Sequence, residues 1–229
     1  MRVPVRIDRI RRDEALRYLG WKGGCSDPHV LSQLEEAERL ALAQAAPVVI
    51  MRRFPLTKTL LLEGTEFVPL GSNVAALLSK SGEAALLAAT LGMGSERLLL
   101  RTQAKSAALA LVLDAVLTAM IEQVCDEACK AFESTLSGQG LHLTPRFSPG
   151  YGDMPLEQTA QICAVLDAGW QIGLTVSSSG LMIPRKSVTA IIGVTDESPR
   201  MPSGCAVCRM SSTCNMKYSG AQGCAATEG

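Results

Sequence analysis

Three sets of side chains in this 229-residue sequence have the types and spacing to do chemistry. The first lies in the segment 144–153, Thr-Pro-Arg-Phe-Ser-Pro-Gly-Tyr-Gly-Asp. Two prolines and two glycines there make a stiff loop that neither continues a helix nor joins a regular sheet. Arg146 offers a planar fork that fits a carboxylate in bidentate fashion. Gly150 lets backbone approach a ligand closely, and Tyr151 adds a flat face with a polar tip. The same composition also describes an ordinary surface loop. The second set is Asp114, Glu122 and Asp126, whose spacings of eight and four residues put them on one helical face. Buried acids need partners, so that face either meets cations or forms a polar edge toward water. The third is Cys205-x2-Cys208-x5-Cys214-x9-Cys224, where soft thiolates suit zinc or an iron–sulfur cluster although the spacing matches no ferredoxin run. Cys125, Cys129 and Cys163 read as small apolar packing residues. With only His29 and His142 in the chain, no catalytic triad is recognisable.

The elements that must position these residues can be read in turn. Residues 8–20 have helical periodicity, with Ile10, Leu16 and Leu19 on one side and Gly20 closing it. Asp27-Pro28 opens a second helix, an N-cap followed by proline at the first helical position, running to about residue 46. Residues 47–54, 59–62 and 66–70 read as strands. A short helix over 73–78 and a buried strand over 83–91 follow. The glycine turn at 92–95 fits neither common phosphate-binding fingerprint and reads as a plain turn with Ser95 as N-cap. Helical pattern then persists from 95 to about 136, too long for one ordinary helix, which predicts a break. After the 144–153 loop come a helix over 155–168 and two strands, 172–183 and 187–196, the second strongly β in composition. From residue 198 the chain turns rich in Ser, Gly, Met and Cys, so 201–229 reads as a Cys-rich tail beside a main unit of residues 1–200.

Composition narrows the function classes. Twenty-two basic and 22 acidic residues give no net charge, and the five arginines between Arg2 and Arg12 alternate with apolar and acidic residues like a solvated face. No nucleic-acid footprint follows. The N-terminus lacks an apolar signal core, and the most hydrophobic helix, near residues 106–121, is interrupted by Asp114 and falls short of the roughly 20 apolar residues of a span. The expectation is a cytoplasmic protein with no membrane partner, whose cysteines are thiols or metal ligands.

Arg146-x-x-Pro149-Gly150-Tyr151, followed by Leu181-Met182-x-Pro184-x-x-Ser187-Val188, resembles the reactivation (activation) domain of cobalamin-dependent methionine synthase. Weaker support comes from residues 14–20, Glu-Ala-Leu-Arg-Tyr-Leu-Gly, and from Leu113-Asp114-Ala115. The resemblance covers most of residues 8–196. It implies an α+β fold, a curved and largely antiparallel sheet with helices at its ends and on one face. It also implies S-adenosylmethionine binding and docking over a corrinoid, so that oxidised cobalamin is reductively methylated. The domain then contributes positioning rather than an acid, base or nucleophile. Arg146 would take the ligand's carboxylate, Gly150 and Tyr151 would line its pocket with Ser148 offering backbone polar groups, and Glu122 would face its positive centres. The chain is shorter than the family pattern between the acid and the arginine, and it has no Asp-x-His-x-x-Gly cobalamin motif. Cobalamin would therefore sit on a partner, a methionine synthase or related corrinoid protein, with a flavodoxin- or ferredoxin-type reductant. The other readings are an electron-transfer protein working through Cys205, Cys208, Cys214 and Cys224, and a corrinoid-handling module with no methyl donor.

Overall fold

The structure, a computed structural model, describes residues 1–21 and 27–197. Its elements are β1 (Arg2–Val3), α1 (Arg12–Tyr18), α2 (Pro28–Gln44), β2 (Val48–Pro55), α3 (Ser72–Leu78), β3 (Glu83–Thr90), α4 (Gly92–Lys105), α5 (Ala107–Ser134), β4 (His142–Leu143), α6 (Gln158–Val165), α7 (Ala168–Ile172), β5 (Thr175–Val176), β6 (Met182–Ile183) and β7 (Ser187–Thr195). The main sheet has the order β1-β2-β3-β7-β4, every pairing antiparallel, and curls into a half-barrel. This is the curved antiparallel α+β architecture expected from the sequence.

Helices cover both faces of that sheet, which explains why its centre shows no polar alternation. Along β3, Ala85, Leu87 and Ala89 join the core beneath α1, α2, α4 and α5. Their neighbours Ala84, Leu86 and Ala88 join the core beneath α3, α6 and α7. A strand apolar at every position can only be buried on both sides.

Several local expectations hold for the stated physical reasons. Asp27 caps α2, its Oδ1 accepting from the His29 amide at 2.8 Å, with Pro28 in the first turn. The long helical stretch does break, at Ser106, whose extended backbone ends α4 and whose Oγ accepts from the Leu109 amide to cap α5. Others are corrected. Residues 59–62 and 66–70 form no strands, because threonine side chains satisfy the backbone locally. Thr57 Oγ1 accepts from the Leu61 amide, and Thr65 Oγ1 donates to the Leu62 carbonyl while accepting from the Phe67 amide. Helix α4 starts at Gly92, not after Ser95, and a Cβ on Gly94 would collide with the Gln44 carbonyl at the end of α2. The expected helix over 155–168 is present as the shorter α6, with α7 following as a separate short helix. The expected strand over 172–183 is a small β5–β6 hairpin.

Helix α5 carries the site. At 28 residues it is long and apolar enough by composition to cross a membrane, longer than the sequence reading allowed, because buried apolar positions continue through Phe132. Most of its most apolar window is buried inside the protein, where it packs on α1, α2, α4 and the central strands.

Candidate functional site

One edge of α5 carries Asp114, Thr118, Glu122 and Asp126, polar side chains at every fourth position. All three acids meet cations, each delivered by a different irregular segment. Lys186, just before β7, places Nζ 2.8 Å from Asp114 Oδ1 and 2.7 Å from Thr118 Oγ1. Arg146, from the loop after β4, places Nη2 2.9 Å from Glu122 Oε2 and Nη1 2.8 Å from Asp126 Oδ1. Arg11, immediately before α1, donates from Nη1 to Asp126 Oδ2 at 2.6 Å. The alternative of a polar edge facing only water does not hold.

The direction of Arg146 follows from the strand it extends. The Thr144 amide donates to the Gly193 carbonyl, and Phe147 and Ile191 exchange both backbone hydrogen bonds, so residues 144–147 run beside β7. Successive side chains of an extended segment point to opposite faces. Phe147 therefore packs into the core shared with α3 and α6, while Arg146 turns toward α5. Pro145 has no amide to contribute, which this interrupted edge pairing tolerates.

Burial differs sharply within the cluster. Side-chain exposure is 16% for Arg146 and 7% for Asp126, but 41% for Glu122. Burial opposes the Arg146 charge, yet Cys125, Asp126, Cys129 and Glu122 around it outweigh this and hold its pKa above the ordinary value. Around Glu122 the balance is reversed: desolvation by the surrounding protein pushes its carboxyl up, and Arg146 offsets only part. The Cys125 thiol is likewise pushed up by burial, as is that of Cys129, the nearby Arg146 charge offsetting only part. Neither cysteine is a ready nucleophile.

Downstream, the loop bends back as a tight turn. The Gly150 amide donates to the Met154 carbonyl and the Tyr151 amide to the Ser148 carbonyl, with Gly150 and Gly152 both at positive φ. A Cβ on Gly152 would press on Asn73 Oδ1 and the Phe147 ring, so glycine is required there. Asp153 then receives the start of α3: Oδ2 accepts from the Ser72 amide and hydroxyl, both at 2.6 Å, and Oδ1 from the Asn73 amide at 3.0 Å. These donors, the Ser72 hydroxyl foremost, bring the Asp153 carboxyl down to about 2. The turn presents Tyr151 to solvent, 65% exposed.

Arg146 and Glu122, assigned to opposite ends of one ligand, thus meet each other directly. Ser148, Gly150 and Tyr151 lie in the turn that follows, which rests on α3 and the approach to α6 and not on α5. Sequence reasoning did not find Arg11, which it placed on a solvated face. Its partner Asp126 lies 115 residues away, and no local pattern signals such a pairing. Cys205, Cys208, Cys214 and Cys224 lie outside the described residues, among which no cluster of three or more His, Cys, Asp or Glu could hold a metal ion.

No family model matches the chain, and no curated protein matches it. Among solved structures, it is similar to the MetH reactivation domain bound to AdoHcy, with a TM-score of 0.53 and 14% identity over 88% of this chain and 80% of that one. The fold is reactivation-domain-like. At this identity the likeness concerns architecture, and the ligand named there belongs to that protein.

Proposed function

We infer that this protein binds S-adenosylmethionine and supports reductive methylation of a corrinoid held by a partner, a methionine synthase or related corrinoid protein. The observation that carries this reading is the coincidence of the Arg146-x-x-Pro149-Gly150-Tyr151 segment with a fold similar to a reactivation domain that binds AdoHcy.

The donor set suits the amino-acid end of such a ligand. A guanidinium and a partly exposed carboxylate stand side by side, as a carboxylate–ammonium pair requires. Ser148, Gly150 and Tyr151, in the turn that follows Arg146 in the chain, would add backbone polar groups and an aromatic surface. S-adenosylmethionine would supply an electrophilic methyl group, and the partner's corrinoid the centre that accepts it. The residues of this chain would bind and orient the ligand.

Equilibrium dialysis with radiolabelled S-adenosylmethionine tests the binding half; retention at micromolar protein is expected, and its absence overturns the reading. The second half is tested by adding the protein, reductant and S-adenosylmethionine to a corrinoid methyltransferase in its oxidised, inactive state. The visible spectrum should convert to that of the methylated cofactor only when this protein is present.

A further inference from the structure

We propose that ligand recognition works by partner exchange at Arg146, with Glu122 as the releasable partner and Asp126, clamped by Arg11, as the permanent one. This rests on the reading of the site as an S-adenosylmethionine site and names the device that makes it selective.

The asymmetry between the two acids is geometric. Asp126 uses both oxygens, Oδ1 toward Arg146 at 2.8 Å and Oδ2 toward Arg11 at 2.6 Å. Withdrawing either guanidinium would leave a buried carboxylate short of a partner, so this pair stays closed. Glu122, one turn earlier on α5, makes its hydrogen bond to Arg146 through a single oxygen at 2.9 Å from a far more exposed position. Its release costs less than that of Asp126, since water reaches its more exposed side chain.

Arg11 is itself fixed. Its backbone amide donates to Gln123 Oε1, and Gln123 Nε2 donates to the Arg9 carbonyl, latching the entry of α1 onto α5. Arg11 and Asp126 thus act as positioning residues: they hold the Arg146 fork by one arm and leave Nη2 to change partners.

Charge balance then states what enters. Two guanidinium groups face Glu122 and Asp126, and the further acid near Arg11, Glu127 at 3.9 Å, is balanced by Lys130 at 3.2 Å, so the cluster is neutral. An α-amino acid end brings one carboxylate for Arg146 and one ammonium for Glu122. Every charge keeps a partner, and the net charge is unchanged. A decarboxylated ligand brings no carboxylate for Arg146, so an ammonium that took Glu122 would leave Nη2 without an anion. A deaminated one displaces Glu122 and leaves it alone. The site therefore selects the intact zwitterion.

Calorimetric titration of the full chain with S-adenosylmethionine and with its decarboxylated analogue, together with thermal unfolding of the free proteins, tests this. Wild type should prefer S-adenosylmethionine by about ten- to hundred-fold. Glu122→Gln should weaken binding by about ten-fold with an unchanged or raised Tm, whereas Asp126→Asn should lower Tm by roughly 6 °C or more. Arg11→Ala should weaken binding several-fold and Arg11→Lys should restore it, a rescue that generic loosening of α1 would not give. Equal affinity for the two ligands, equal Tm losses for Glu122→Gln and Asp126→Asn, or full affinity in Arg11→Ala overturns the exchange alone. Absence of any binding by wild type overturns the site reading and the exchange with it.

Discussion

The segment 146–153 is held at its two ends by opposite means. Arg146 is a cation sunk between two acids of α5, with long-range partners and little solvent. Asp153 is an anion at the start of α3, surrounded by donors in an exposed setting. Both close a loop onto a helix, but the energetics differ. A charge out of water depends on its partner, whereas a charge at the surface loses only a modest increment when a hydrogen bond goes. The Arg146 end is therefore a stability element as well as a candidate binding group, and the Asp153 end is a local staple.

The largest effect should follow from breaking the first anchor. Arg146→Ala leaves Asp126 with Arg11 alone and should destabilise the free protein by about 3 kcal/mol in urea unfolding, the lower end for a buried pair because Glu122 can turn to solvent. A Cm equal to wild type would mean the two ends are equivalent. Next, Gly152→Ala forces a side chain into left-handed backbone against Asn73 and Phe147, and should cost more than about 1 kcal/mol.

Asp153→Asn should have the smallest effect at neutral pH and a signature in acid. Because the folded-state pKa is lowered to about 2, the stabilisation is fully present above the ordinary carboxyl range, near pH 4, and disappears as pH falls through about 2. Wild type should therefore lose more Tm than Asp153→Asn over that interval. Parallel acid profiles would contradict the assignment.

Much of this architecture was legible because it rests on local rules. Asp27-Pro28 marks a helix start, Ser187 through Thr195 has strand composition, and the apolar run from Ala84 to Ala89 implies a buried strand. What escaped rests on distant pairing or local competition. Threonines 57 and 65 divert their backbone neighbours from sheet to turn. Arg11 looks like one more surface arginine until Asp126 is beside it. The candidate site was half visible. Loop composition singled out Arg146, and helical spacing put Glu122 and Asp126 on one face, but nothing in the spacing tells that the loop turns Arg146 onto that face. As a loop residue, Arg146 is expected to be dispensable for stability. Its ion pairs with α5 predict the reverse.

The central proposal is that Arg146 serves as the ligand's carboxylate site. The most direct test is calorimetric titration of S-adenosylmethionine into wild type and Arg146→Lys, which keeps a cation for Asp126 while removing the fork. Saturable binding to wild type with one site per chain is expected, and about ten-fold weaker binding to the lysine variant with most of its stability retained. Equal affinities would remove Arg146 from the site, and no binding to wild type would contradict the account at its centre.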